Sequence, residues 1–155
     1  MSGREQPPEP VAELIAAARR VVPGWLRRIT VDAARRGGAD VGALDADIDA
    51  MVASTSPEVL AALEDLLGRD VDDQLLNPLH LLRDAVAAPT ELLRANGVRA
   101  RPVDPFLVER FPDDVYGIGP AAWSDVHPDL HEAGMVWGAW KAMTVLRRRR
   151  EEGLR

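Results

Sequence analysis

The sequence contains no cysteine, and its positive charge comes almost wholly from arginine, with one lysine (Lys141) against eighteen arginines. Without cysteine the chain forms neither a disulfide framework nor a cysteine-ligated zinc site, and it has no thiol nucleophile. Aromatic residues make up only 5% of the chain, so its core must be built mainly from leucine, valine and alanine. These absences agree with a reducing compartment, and we expect a cytoplasmic protein.

Long apolar runs are also missing. The longest apolar stretch, residues 133–146, is shorter than the roughly 20 residues that span a bilayer, and it contains Lys141. The first ten residues are polar and rich in proline, unlike a secretory signal. The formal net charge of −6 lacks the basic excess of a general nucleic-acid binder. We therefore expect neither a membrane nor nucleic acid as a partner.

The composition, 46% hydrophobic and 28% charged over 155 residues, is that of one ordinary folded domain. We predict a disordered tail over residues 1–9, a single helical domain over 10–150 and a second tail over 151–155. The predicted fold class is all-α: an irregular bundle of six to eight helices with a long C-terminal helix. We expect this last helix to pack against the middle helices.

Four sites pair a polar residue with a following proline, which is typical of helix N-termini because the side chain caps free amides and proline suits the first turn. They are Ser56-Pro57, Asn77-Pro78, Asp104-Pro105 and His127-Pro128. Pro23-Gly24 is expected to separate two further helices. With the spacing of apolar residues, these signals predict helices over 10–22, 25–36, 41–53, 56–68, 79–87, 90–96, 104–111 and 128–150.

Residues 112–125 are predicted to form an ordered loop, and its Asp113, Asp114 and Tyr116 are the candidate catalytic residues. General acid–base chemistry often uses carboxylates with separated pKa values, and long loops in compact domains are often functional. Adjacent aspartates are equally common in structural turns, where they accept hydrogen bonds from nearby backbone amides. Both interpretations stay open.

Asp125, His127 and His131 are candidate metal ligands at the start of the last helix. Two histidines four residues apart can face one metal ion, and a carboxylate can add oxygen. Proline follows His127 where a metalloprotease helix carries its glutamate base. The alternative is helix capping, because acidic residues in a first turn are already favoured by the helix dipole.

Trp123, Trp137 and His80 are candidate ligand-binding residues, although each is also a common packing residue. The two tryptophans would line a pocket between the 112–123 loop and the last helix. The sequence has no phosphate-binding loop, no dinucleotide fingerprint and no nucleophile elbow. We therefore predict no cofactor and favour a protein that is not an enzyme.

Charge is distributed unevenly along the chain. Residues 40–73 hold ten acidic residues and one arginine, a local charge of −9, while Arg147–Arg150 form a basic end. Such a distribution can steer a complementary partner, although ordinary solvated helices carry similar patterns. The small residues Gly134, Gly138 and Ala142 lie four apart, which lets another helix approach closely. A homodimer through the last helix is therefore a further possibility.

Together these features predict a small helical protein-interaction or regulatory module that binds another protein. The alternative is a small-ligand binder, or an acid–base or metal enzyme, that uses residues 112–131. The discriminating property is burial. A pocket predicts that Asp114 or His131 is partly buried with a shifted pKa, whereas an interaction module predicts that both are exposed and that an apolar patch elsewhere is uncovered.

Four segments of the second half resemble a group of conserved uncharacterised proteins of high-GC actinobacteria. They are Asn77-Pro78-Leu79, Pro89-Thr90-Glu91-Leu92-Leu93, Phe111-Pro112-Asp113-Asp114-Val115-Tyr116-Gly117 and Trp137-Gly138-Ala139-Trp140-Lys141-Ala142. The resemblance covers roughly residues 75–150. It implies no activity, substrate or cofactor, but it directs attention to the loop over 113–117 and to residues 137–142.

Overall fold

The structure, a computed structural model, describes residues 7–71 and 77–153. The described residues form six α-helices and no strand, which confirms the predicted all-α fold with a long C-terminal helix. None of these helices is long and apolar enough to cross a bilayer. The helices are α1 (Glu9–Arg36), α2 (Val41–Leu67), α3 (Leu79–Ala85), α4 (Ala87–Ala95), α5 (Pro105–Arg110) and α6 (Pro128–Gly153), with a 3-10 helix at Trp123–Asp125.

Several boundaries differ from the predictions. Most of the predicted tail over 1–9 lies outside the described residues, but Glu9 already belongs to α1. At the other end, α6 continues to Gly153, three residues past the predicted end. Residues 98–103 form no strand, in keeping with Pro102, which cannot donate a ladder hydrogen bond.

The prediction of a break at Pro23-Gly24 is wrong, because α1 passes straight through Pro23. A proline inside a helix removes one backbone hydrogen bond and costs roughly 3 kcal/mol. The buried side chains Val22 and Trp25 lie on either side of this proline and belong to one core. Burying a large apolar side chain contributes about 1.5–3 kcal/mol, so packing on both sides of Pro23 outweighs its local cost.

The predicted helix start at Ser56-Pro57 is also wrong, since both residues lie inside the continuous helix α2. Ser56 is buried, and its hydroxyl has no hydrogen-bond partner within residues 7–71 and 77–153, so it caps no helix there. The neighbouring Val59 and Leu63 are buried in the core. Burial of these side chains therefore keeps α2 continuous through Pro57, although the local sequence favours a new helix start there.

The helix starts predicted at Asn77-Pro78, Asp104-Pro105 and His127-Pro128 are confirmed. The Leu79 amide donates to Asn77 Oδ1 at 3.0 Å, and the Phe106 amide donates to Asp104 Oδ1 at 2.9 Å. The Asp129 amide donates to His127 Nδ1 at 3.1 Å. Each cap satisfies an amide that the first helical turn leaves without a partner.

Helix α1 is the centre of the molecule, and it packs against α2, α4 and α6. The expectation that the last helix packs against the middle helices is wrong: α6 packs mainly against α1 and the 3-10 helix. The reason is that α1 is apolar on more than one side and so accepts neighbours on each. The largest fully buried side chains include Leu14, Trp25, Leu26, Ile48, Leu63, Leu82, Leu93 and Leu130.

The C-terminal end of α1 holds the segment that leads towards α5. A Cβ on Gly37 would collide with the Arg99 carbonyl oxygen and the Val98 side chain, so this close approach requires glycine. Arg36 Nε donates to the Arg101 carbonyl at 3.0 Å. Residues 98–101 are thereby held against α1, upstream of the loop that carries the candidate residues.

Candidate functional site

The loop after α5 packs against α3 and α4, where it borders an open cleft of about 540 Å³. We call this the loop cleft; Arg83, Val86, Ala87, Arg110 and Phe111 are among the residues that line it. The sequence had placed a pocket between this loop and the last helix, but no residue of α6 lines the loop cleft. Three predicted candidates do line it, namely His80, Asp113 and Asp114.

Asp114 is buried, and each of its carboxylate oxygens accepts a hydrogen bond from a backbone amide. Oδ1 accepts a hydrogen bond from the Ile118 amide at 2.9 Å, and Oδ2 accepts one from the Gly119 amide at 2.7 Å. Gly117, which lies between Asp114 and these two amides in the chain, has a φ of 63°, a left-handed conformation that favours glycine. These bonds support a structural role, in which Asp114 closes the turn rather than receiving a proton from a substrate.

Tyr116 is buried outside the loop cleft, and its hydroxyl donates to the Val98 carbonyl at 2.7 Å. Burial raises the pKa of this phenol above its usual value, and nearby Arg94 lowers it only in part. The hydroxyl therefore stays protonated at neutral pH and anchors the loop to residue 98.

The side chain that ties the loop to α3 is Arg83, which the sequence did not single out. Its Nε donates to the Pro120 carbonyl at 2.9 Å and its Nη2 to the Ala121 carbonyl at 3.3 Å. Its guanidinium lies 4.9 Å from the centre of the Phe111 ring. Arg110 lies over the same ring at 5.5 Å. The Arg110-Phe111 pair is visible in the sequence, but the approach of Arg83 depends on the fold.

Thr90, which also lines the loop cleft, has a buried hydroxyl with no hydrogen-bond partner among the described residues. Two other helical threonines bond back one turn: Thr30 donates to the Leu26 carbonyl at 2.6 Å and Thr144 to the Trp140 carbonyl at 2.8 Å. A buried hydroxyl that makes no bond costs free energy because it has lost its water.

We expect Thr90→Val, which replaces the hydroxyl by a methyl group of similar size, to raise the free energy of unfolding by up to about 1 kcal/mol. Thr30→Val removes an existing hydrogen bond and should lower it by about 1 kcal/mol. Urea denaturation of both variants measures the difference. Equal destabilisation by the two changes would show that the Thr90 hydroxyl has a partner in solution.

Trp123 and Trp137 are packing residues. A Cβ on Gly134 would come within 2.7 Å of Trp123 Cδ1, so glycine lets this ring lie directly on α6. Trp137 is buried in the core, with Lys141 Nζ lying 5.2 Å from its ring centre. Neither ring lines the loop cleft.

Two of the three candidate metal ligands accept hydrogen bonds from backbone amides around the start of α6. Asp125 Oδ2 accepts from the amides of Ala121 and Ala122, both at 2.9 Å. His127 Nδ1 accepts from the Asp129 amide, and His131 is exposed. Across residues 7–71 and 77–153, no three His, Asp or Glu side chains are grouped so that they could hold a metal ion.

Much of the acidic stretch is neutralised within the molecule. Arg27 pairs with both Asp45 and Asp49, and the hydrogen bond that Arg27 donates to Asp45, together with the charge of Asp49, raises the pKa of Arg27. Three further pairs are Arg19 with Glu64, Arg69 with Asp65, and Arg148 with Asp70. Asp72 and Asp73 lie outside the described residues. The negative charge that residues 40–73 offer to a partner is therefore smaller than the sequence count of −9 indicates.

Helix α6 exposes a second apolar side. Met135 is 63% exposed, Val136 46%, Met143 64% and Leu146 56%. At about 100° per residue, these four side chains share one side of the helix, which we call the outer face of α6. The buried residues Leu130, Gly134 and Trp137 lie on the opposite side, towards α1.

No family model, no curated protein and no solved structure matches the chain. The resemblance to actinobacterial proteins therefore stays a prediction. Two surfaces carry the functional argument: the loop cleft and the outer face of α6.

Proposed function

We propose that this protein is a cytoplasmic helical interaction module that binds through the outer face of α6, and that its partner there is a second copy of the same chain. The observation that carries this proposal is the group of exposed side chains Met135, Val136, Met143 and Leu146 on one face. Single exposed apolar residues are normal, whereas a contiguous apolar patch marks an interaction surface.

The charges at the two ends of this face favour an antiparallel pair. Asp129 and Glu132 lie at the N-terminal end of this face, beside Arg20 of α1, and Arg149 and Arg150 lie at its C-terminal end. The four side chains of α6 are exposed. An antiparallel copy brings the acidic end of each helix to the basic end of the other, as a two-fold interface requires. A parallel copy would bring like charges together.

The spacing of the apolar residues is compatible with the same two-fold arrangement. Met135 and Leu146 lie at similar distances on either side of residues 140–141, about 17 Å apart along the helix. The exposed small residues Ala139 and Ala142 lie between them and allow close approach. Of the small residues predicted to form a groove, Gly134 faces Trp123 inside the molecule, so the close contact is centred on the two alanines.

We expect the chain to dimerise with a dissociation constant on the order of 10 µM, because one helix pair buries less area than a standard stable interface. Met143→Glu would place a charge in the apolar contact and should weaken the dimer at least about tenfold. Sedimentation velocity over a concentration series measures both values. Ala61→Glu makes a similar change on the exposed side of α2 and should have no effect.

A charge exchange tests the identity and direction of the partner. Glu132→Arg and Arg150→Glu should each weaken the dimer through like-charge contacts, and the double variant should recover most of the loss. A wild-type chain that stays monomeric at about 1 mM, far above the expected dissociation constant, would exclude a second copy as the partner. A dimer that Met143→Glu leaves intact would show that another surface forms the interface.

A further inference from the structure

The guanidinium of Arg83 is held in place with part of its donor capacity unused. A guanidinium carries five N–H groups, and the two bonds to the loop carbonyls use Nε and one hydrogen of Nη2. The opposite edge, formed by Nη1 and the second hydrogen of Nη2, is the edge that binds a carboxylate end-on. Because the group is already ordered by the loop and by Phe111, little entropy remains to be lost on binding.

Arg110 is a second cation beside the same ring. It is exposed, and it forms no hydrogen bond or ion pair with the described residues. Arg83 likewise has no carboxylate partner among them. Two guanidinium groups beside one phenyl ring therefore line the loop cleft, and neither is paired with a carboxylate of the described residues. A carboxylate bound there would supply the partner that they lack.

The remaining walls limit the kind of anion. Val86, Ala87 and Pro120 give the cleft an apolar side that suits a hydrocarbon body. Three carboxylates also line the cleft: Asp84 and Asp113, which are exposed, and the buried Asp114, which accepts from two backbone amides. Their charges disfavour a ligand with two negative charges. The volume of about 540 Å³ lies in the range of small-molecule pockets.

We propose that the loop cleft binds a small organic monocarboxylate, with its carboxylate between Arg83 and Arg110 and its apolar body against Val86 and Ala87. This site is independent of the proposed dimer, because no residue of α6 lines it. It is a binding site, and no catalytic step is assigned to it.

Benzoate is a suitable probe, followed by amide chemical shifts in NMR spectra of the isotope-labelled full chain. We expect saturable shifts at Val86, Ala87 and Gly119, with a dissociation constant of roughly 1 mM or lower for a ligand of nine heavy atoms. Arg110→Gln should weaken binding at least about tenfold, because a charge-assisted hydrogen bond is lost. Arg99→Gln, a matched change at an exposed arginine outside the cleft, should leave it unchanged.

Three comparisons test the ligand class. Benzamide, the neutral analogue, and inorganic phosphate should both bind at least about tenfold more weakly than benzoate. Asp84→Asn should tighten benzoate binding by removing a nearby negative charge. The proposal is overturned if benzoate gives no saturable shift up to about 10 mM, if Arg110→Gln changes nothing, if benzamide or phosphate binds as tightly, or if Asp84→Asn weakens binding.

Discussion

Replacing Asp114 by alanine is expected to lower the free energy of unfolding by about 2–4 kcal/mol, because the amides of Ile118 and Gly119 lose a charged acceptor in a largely buried site. For a chain of this length, that loss corresponds to a fall in melting temperature of roughly 6–12 °C. Urea denaturation and calorimetry of the purified variant measure both quantities.

Asp113→Ala is the matched control, since the neighbouring carboxylate is exposed and accepts no hydrogen bond from the described residues. It should change stability by less than about 0.5 kcal/mol. The pair of variants separates the two interpretations of the Asp113-Asp114 sequence. Residues held for catalysis often cost stability, so their removal is neutral or stabilising. A stable Asp114→Ala variant would therefore restore the acid–base interpretation.

Trp25→Ala should produce the largest loss of stability, about 3–5 kcal/mol, because it empties a fully packed position in the centre of the core. Trp25 is 2% exposed and lies in α1. It follows Pro23 by two residues, so its burial is part of what keeps α1 continuous through that proline. The measurement is equilibrium unfolding followed by circular dichroism at helical wavelengths.

Phe106→Ala removes another large aromatic side chain, but one that is 72% exposed. Its effect should stay within about 0.5 kcal/mol. Comparable losses in the two variants would mean that Trp25 is not in the core and that its burial does not keep α1 continuous through Pro23.

The two functional proposals can succeed or fail separately. Dimerisation depends on the outer face of α6, and carboxylate binding depends on Arg83 and Arg110 beside Phe111. A dimer of the proposed geometry leaves the loop cleft open in each copy, because no residue of α6 lines it. Benzoate titrations of wild type and Met143→Glu should therefore give the same dissociation constant.

Local sequence determined the features whose hydrogen-bond partners lie within a few residues. The caps at Asn77, Asp104 and His127 each accept from an amide two residues further along, so the sequence alone predicts them. The structural interpretation of the paired aspartates was available for the same reason, because Asp114 bonds to amides four and five residues away. The all-α class followed from the spacing of apolar residues.

Only the tertiary structure decided features that depend on distant contacts. Pro23 and Pro57 lie inside helices because burial on both sides outweighs a local cost, and no local pattern states how much will be buried. The acidic stretch is offset by arginines from α1 and α6, and Arg83 meets a ring 28 positions further along. The sequence therefore determined the helical class, the three capped helix starts at Asn77, Asp104 and His127, and which residues are apolar. Packing decided which charges are paired and which apolar face is left for a partner.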